Sequence, residues 1–314
     1  MPRQGHDTTE HENRAVEGRT SNPIFALKIM FNPIGAHMSM AGGLEKAFQR
    51  IQAVGGECFQ VFVKPNVQWQ AGELSLEEVI RYKTEQKRTG IGPVVAHASY
   101  LLNLASPDRE QRDKSILTLA LELVRSARLG IEYLILHPGS HRETGEKQGI
   151  KRIAQGIDRA FTKAEVPKTQ ILLETTAGSG SQLGCSLEQL RDILALCRNN
   201  TPLGICLDTC HIYAAGFDIV SARGYRDFFE SFQNLIGLDR LKVIHVNDSK
   251  TPLGSKVDRH EQIGHGFLGL KPFKRLLSDL NLKGIPFILE TPKGKKEGED
   301  WDAINIRLLK RFRK

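Results

Sequence analysis

Nine residues of this sequence have side chains suited to acid–base or metal chemistry and fall where they could act together. Six of them close short apolar runs or sit within their last residues: His97, His137, Glu174, Asp208, His245 and Glu290. The chain holds only 36 acidic residues and 10 histidines among 314, so this recurrence exceeds chance placement. His211 follows Asp208 by three residues, which lets both side chains turn inward across a strand end. Asp258 and His260 form an Asp-x-His pair, whose side chains share one side of an extended segment. Three or more carboxylates at one place would repel and raise one another's pKa values unless cations neutralise them. The set offers five imidazoles and four carboxylates and no cysteine, a nitrogen and oxygen donor set suited to zinc or manganese. One zinc takes about four ligands, so nine donors point to two or three ions that share a bridging carboxylate. Clustered metals of this kind serve in-line displacement at phosphorus. Taken singly, each residue has an ordinary explanation: a strand-end histidine is more often hydrogen-bonded than ligating, and Asp208 alone would serve as a helix cap. Nine separate structural roles converging on one place would be a coincidence.

Such convergence needs a scaffold that brings strand ends together. Apolar or β-branched runs occur at 33–37, 57–63, 92–97, 132–137, 170–174, 204–208, 241–246 and 285–290. Amphipathic stretches separate them. In the stretch 108–129, Ile116, Leu119, Leu123 and Leu129 recur near helical spacing, and Gly130 is a stop signal. Gly55–Gly56 closes the stretch that begins near Gly43. Eight strand–helix units over this length predict a single-domain α/β fold, the closed (β/α)8 TIM barrel, in which all strand carboxyl ends face one mouth. An open doubly wound sheet is the rival, but no GxGxxG follows any of these strands, and GSGSQLG (178–184) lacks the Gly-Lys-Ser/Thr of a phosphate loop. The barrel domain is read as 31–314, with residues 1–30 as a disordered or irregular extension. The charged tail 293–314 reads as a solvated helix face with a frayed end.

The net charge of +8 modestly favours a polyanionic partner without naming one. No apolar run approaches the ~18 residues needed to span a bilayer, and residues 1–24 mix Arg with Asp and Glu, unlike a secretory or transit signal. The cysteines Cys58, Cys185, Cys197, Cys206 and Cys210 are odd in number and suit a reducing, cytoplasmic setting. Cys210, next to an apolar strand and without a dedicated base, reads as a packing residue rather than a nucleophile. His37 reads as a support to the strand-end set. His6, His11 and His141 read as exposed, His265 has no evident partner, and Asp248 receives no role.

The sequence resembles the endonuclease IV family of apurinic/apyrimidinic endonucleases over essentially all of residues 33–314. The resemblance is carried by GAHMSMAGGLEKAF (35–48), AHASYLLNLASP (96–107), LHPGSH (136–141), LETTAGSGSQLG (173–184), CLDTCHIYAAGFDI (206–219), HVNDSKTPLGSKVDRHEQIGHG (245–266) and LETP (289–292). It implies a TIM barrel with three zinc ions, manganese being an alternative at one site. His97, His137 and Glu174 would hold the first; Glu174 would bridge to a second completed by Asp208, His245 and Glu290; His211, Asp258 and His260 would hold the third. It also implies damaged double-stranded DNA as the partner, with no membrane and no obligate protein partner, the chain acting as a monomer. The implied reaction cleaves the phosphodiester 5′ to an abasic site, leaving a 3′-hydroxyl and a 5′-deoxyribose phosphate, and trims blocked 3′ ends. A zinc-activated hydroxide, oriented by Glu174 or Glu290, would attack phosphorus. Duplex contacts would come from the loops after the second and third strands. Tyr100 and Leu101 match the family there, and Lys64 is a phosphate contact by the same likeness. After the second strand the family commonly reads Lys-Asn-x-Arg-x-Trp, whereas this chain has Lys64-Pro65-Asn66-Val67-Gln68-Trp69, so Val67 stands where the family inserts Arg. Two other readings compete: a metal-dependent sugar isomerase or epimerase on a related barrel, which needs no third metal, and a non-catalytic damage-binding module.

Overall fold

All eight apolar runs form strands, and each pairs in parallel with its sequence neighbours until the last closes on the first. The computed structural model describes residues 31–166 and 168–313; the extension 1–30 lies outside the described residues. The barrel strands are β1 (Ile34–His37), β2 (Cys58–Phe62), β3 (Val94–His97), β4 (Tyr133–Leu136), β5 (Gln170–Glu174), β6 (Leu203–Asp208), β7 (Leu241–His245) and β8 (Phe287–Leu289). The helices are α1 (Lys46–Ala53), α2 (Leu76–Thr89), α3 (Arg109–Leu129), α4 (Glu146–Ala164), α5 (Leu187–Leu196), α6 (Thr209–Ala215), α7 (Ala222–Leu235), α8 (Lys271–Ser278) and α9 (Trp301–Lys310).

Local signals set these elements. Ser75 and Glu78 form a reciprocal capping box that starts α2, each side chain accepting from the other residue's backbone N–H. Asp108 caps α3 by accepting from the N–H groups of Glu110 and Gln111, and Gly130 ends it at φ +77°. The closure of β1 on β2 depends on Gly35, because a Cβ there would stand 1.7 Å from the Cys58 carbonyl oxygen.

The hydrophobic residues divide into two buried groups. The larger lies between sheet and helices, as Phe48, Leu119, Leu123 and Phe232 do. The smaller fills the barrel: Cys58, Val95, Ile135, Leu172, Cys206, Val243 and Ile288. Side chains alternate along a strand, so the residue two places on faces inward again. On these seven strands that residue is Gln60, His97, His137, Glu174, Asp208, His245 and Glu290. A layer of apolar plugs therefore carries a layer of polar groups at the carboxyl mouth.

The tail departs from the expected frayed helix. α9 buries Ile306 and Leu309, and beyond it Arg313 grips Glu57 with both terminal nitrogens, at 2.8 and 3.0 Å. Lys310 reaches the same carboxylate at 3.0 Å, and the Ile34 N–H donates to it at 3.1 Å. Burial raises the Glu57 pKa, but these donors outweigh it and hold the carboxyl below its ordinary value. A depressed folded pKa gives stability that is present above the unfolded value and lost as pH falls through the folded one. Glu57→Gln should therefore cost roughly 1 kcal/mol near pH 7, a difference that shrinks as pH drops below about 4.5. Urea unfolding of both proteins at pH 7 and pH 4 checks this, and a pH-independent difference would contradict it.

Candidate metal centre

The strand-end layer places Glu174 at the middle of the mouth. Its side chain is fully buried. His137 Nε2 lies 2.8 Å and His97 Nε2 3.1 Å from its Oε2, while His245 Nδ1 lies 3.0 Å from its Oε1. The His97 ring is fixed by its Nδ1, 2.7 Å from the Ala98 carbonyl. The same His245 Nδ1 meets Glu290 Oε2 at 3.1 Å and Asp208 Oδ2 at 3.8 Å. His211 reaches the mouth from the first turn of α6, whose cap is the Asp208 carboxylate accepting from the His211 N–H at 2.9 Å. Its Nδ1 contacts the Thr175 carbonyl at 2.8 Å, so Nε2 faces outward, 3.1 Å from Asp258 Oδ2. Asp258 and His260 come from the segment after β7, with His260 Nε2 3.3 Å from Asp258 Oδ1 and 3.6 Å from Asp208 Oδ2.

All nine strand-end and loop residues singled out in the sequence thus meet. Taken among themselves, their donor atoms form three groups, each with its members within 4.8 Å of one another: His97, His137 and Glu174; Glu174, Asp208, His245 and Glu290; His211, Asp258 and His260; a fourth group links Asp208 and His260 through Cys210. Glu174 belongs to two of them. Electrostatics pull in two directions. Burial pushes the Glu174 carboxyl up, but the charges of His137 and His245 and hydrogen bonds from His137 and His211 outweigh it and hold the group well below the carboxylate range. Glu290 is held low in the same way, chiefly by His245, against the like charge of Glu174. Burial lowers His211 and His245, yet Asp208, Asp258 and Glu174 raise the first, and Cys206, Glu290 and Glu174 the second, well above their ordinary values. Protons on these imidazoles therefore balance the carboxylates when no other cation does.

The residues fit divalent metal ions. The donors are imidazole nitrogens and carboxylate oxygens roughly 3–4 Å apart, the spacing that ligands about 2 Å from a shared zinc require. The buried Nε2 atoms of His211 and His260 face the Asp258 carboxylate at 3.1 and 3.3 Å without a partner in hydrogen-bond geometry among the described residues, a placement that suits atoms ligating a common ion.

Several supporting residues carry no signal of their own in the sequence. Gln60, fully buried on β2, donates to Glu290 Oε1 at 2.6 Å, meets His245 Nε2 through its oxygen at 2.8 Å, and contacts His37 Nδ1 at 2.9 Å. Asn247 donates to Asp208 Oδ2 at 2.6 Å and accepts from the Glu290 N–H at 2.8 Å. Asp248, to which the sequence assigns no role, gathers the N–H groups of Ser249, Gly264, Gly266 and Leu268. It thereby fixes the loop beside Asp258 and His260, and Gly266 must lack a side chain because a Cβ would stand 2.5 Å from Asp248 Oδ1. His37 supports the set as expected, and burial holds it neutral by lowering its pKa to about 3. Burial raises the Cys210 thiol to about 12, in keeping with a packing role. His265 has a partner after all, packing edge-on against Trp301.

Two expectations require correction. Lys64 is 1% exposed and points into the protein, 3.2 Å from Glu122 on α3. It also donates to the carbonyls of Pro65 and Gln68, so it does not face a phosphate. His141 is half-buried, with its Nδ1 enclosed. By contrast, Val67 is 76% and Tyr100 61% exposed on the loops after β2 and β3, and Leu101 is half-buried beside them. Tyr100, Glu290, Lys250 and Arg259 line a cavity of about 400 Å³ together with the third donor group.

A closed parallel barrel with a shared His/Asp/Glu cluster at its carboxyl mouth belongs to the xylose isomerase-like TIM barrels, and the family model of that description matches residues 48–312. The chain is 48% identical over 276 residues to a probable endonuclease 4 of Chloroflexus aurantiacus, covering 88% of this chain and 96% of that protein. The crystal structure of endonuclease IV from Thermus thermophilus superposes with a TM-score of 0.79 at 37% identity, covering 89% of this chain and 98% of that one. This chain belongs to the endonuclease IV family. A D-tagatose 3-epimerase-like protein shares the fold at a TM-score of 0.65 and 18% identity, covering 89% of this chain and 96% of that one. Among the described residues no helix is long and apolar enough to cross a membrane.

The amide of Gln60 joins Glu290, His245 and His37, so Gln60→Leu leaves buried polar partners unmatched. A loss of about 2 kcal/mol is expected in urea unfolding. A change below about 0.5 kcal/mol would mean that the cluster holds itself without this bridge.

Proposed function

We propose that this protein is a DNA-repair endonuclease that hydrolyses the phosphodiester 5′ to abasic sites in duplex DNA, leaving a 3′-hydroxyl and a 5′-deoxyribose phosphate, and that trims blocking groups from 3′ ends. The observation that carries this reading is the sharing of Glu174 between two donor groups, with a third group on the same cavity wall. His97, His137 and Glu174 would hold one zinc, Glu174, Asp208, His245 and Glu290 a second, and His211, Asp258 and His260 a third, with manganese able to replace zinc at one of them. Bound there, the ions supply Lewis-acid charge that brings water's pKa toward neutrality and offsets charge on a departing oxygen.

The chain's own groups do the rest. Two ligand-set carboxylates line the cavity: Asp258, which pairs with His211 and His260, and Glu290, 11% exposed. Fixed by Gln60 and Asn247, Glu290 is placed to orient the attacking water and take its proton. Glu174, sealed from solvent, holds the two groups that share it in register. Lys250 and Arg259 offer cations to phosphates flanking the scissile one. Val67 and Tyr100 project from their loops to enter the duplex, with Leu101 behind them. An abasic nucleotide lacks stacking and pairing, so extruding it costs less than extruding an intact one. The five cysteines, all unpaired, suit a reducing cytoplasm. A sugar isomerase would leave His211, Asp258 and His260 without work, which speaks against that alternative.

Metal-replete protein should nick a duplex carrying one tetrahydrofuran abasic analogue. Glu290→Gln should keep DNA binding but lower cleavage by roughly 10²–10⁴-fold; unchanged cleavage removes Glu290 from any catalytic role. Val67→Arg should tighten binding to the abasic duplex, measured by fluorescence anisotropy, and an equal Kd would count against entry of that loop into the duplex.

A further inference from the structure

Helix α3 carries a line of buried polar residues along one face. Ser115, Thr118, Glu122 and Arg125 are spaced by three, four and three residues, so they share one face of the helix, and none is more than 7% exposed. Each bonds to backbone outside the helix. The Ser115 hydroxyl accepts from the Asn103 N–H at 3.0 Å. Thr118 donates to the Trp69 carbonyl at 2.9 Å. Glu122 accepts from the Ser99 N–H at 3.2 Å and pairs with Lys64, which in turn donates to the carbonyls of Pro65 and Gln68. Arg125 donates to the carbonyls of Val63 and Gly72. The partners are thus confined to two loops, 63–72 after β2 and 99–103 after β3. The Ser99 hydroxyl joins these loops directly by donating to the Asn66 carbonyl.

A buried charge pair costs several kcal/mol of desolvation per ion, which is offset only while its partners stay in place. Glu122 and Lys64 have those partners only when both loops hold this one conformation. Ordering loops on binding would otherwise subtract from affinity. We propose that the α3 stripe, with Lys64 as its counter-charge, is a positioning device that sets the two loops before DNA arrives and so determines affinity and selectivity for duplexes with an abasic nucleotide. The stripe touches neither the donor cluster nor the reacting phosphate. This inference rests on the reading of Val67 and Tyr100 as the residues that enter the duplex.

The test compares the metal-replete full chain with Thr118→Val, Glu122→Gln and the double variant Lys64→Met/Glu122→Leu. The single Glu122→Gln leaves Lys64 buried without its counter-charge and can fail to fold. The double variant removes both charges, which buried pairs tolerate well, and keeps the proposal falsifiable. Three readouts are taken: KM and kcat on the tetrahydrofuran duplex, hydrolysis of bis(p-nitrophenyl) phosphate, and amide exchange across 63–72 and 99–103. In the double variant KM should rise about tenfold, equivalent to about 1.4 kcal/mol. Its kcat and its turnover of the small diester should stay unchanged, and exchange should quicken in both loops but not in the barrel strands. Thr118→Val should show the same pattern more weakly. An unchanged KM overturns the proposal, as does a parallel loss of duplex and small-diester turnover, which would place the effect in the metal centre. Should the wild-type chain fail to nick the duplex while the variants still loosen both loops, the proposed function falls and the loop-setting role of the stripe stands.

Discussion

The mouth of this barrel is organised by the repulsion among carboxylates: Glu174, Asp208 and Glu290 have donor atoms within 4.8 Å of one another, and Asp258 stands beside them across His211 and His260. Glu174 and Asp208 have no solvent exposure, so water cannot screen them, and burial by itself would push the Glu174 carboxyl toward neutrality. Five imidazoles interleave with the carboxylates and reverse that drift, and the pKa values of His211 and His245 rise in return. Such a set is stable only with cations in it, protons in the bare protein or divalent ions in the loaded one. Every supporting group obeys the same rule. Gln60 and Asn247 bring amides, which satisfy carboxylate and imidazole atoms without adding charge.

Strand geometry makes this arrangement possible at low cost to the core. The two-residue period lifts each polar side chain above an apolar plug of the same strand, so the barrel interior stays dry below the mouth. The segments beyond the strands then specialise. The loop after β7 is tied by Asp248 and delivers Asp258 and His260 to the cluster. The loops after β2 and β3 are tied to α3 instead and project Val67 and Tyr100 outward. The donor cluster and the projecting loops therefore have separate anchors, one inside the barrel and one on a helix outside it.

The parts legible in the sequence are those written in a local pattern. Each barrel strand is a short apolar run, and an Asp, Glu or His at its end stands out against it; His211 and the Asp258–His260 pair follow from spacing alone. Gln60 occupies the same inward position on β2, two residues beyond Cys58, but a search confined to titratable groups passes over an amide. Asn247 and Asp248 are invisible because their partners come from other segments. Lys64 misleads for the same reason: its partner Glu122 lies on α3, and only the folded chain places that carboxylate beneath the β2 loop. The polar face of α3 is likewise masked by the leucines that recur beside it.

On the proposed function the three donor groups each hold an ion and Glu174 joins two of them. Elemental analysis of the purified chain, alongside Asp258→Asn and Glu174→Gln, tests it most directly. Three metal ions per chain are expected, one fewer in Asp258→Asn, and a loss of more than one in Glu174→Gln. A single ion per chain that persists in both variants would contradict it.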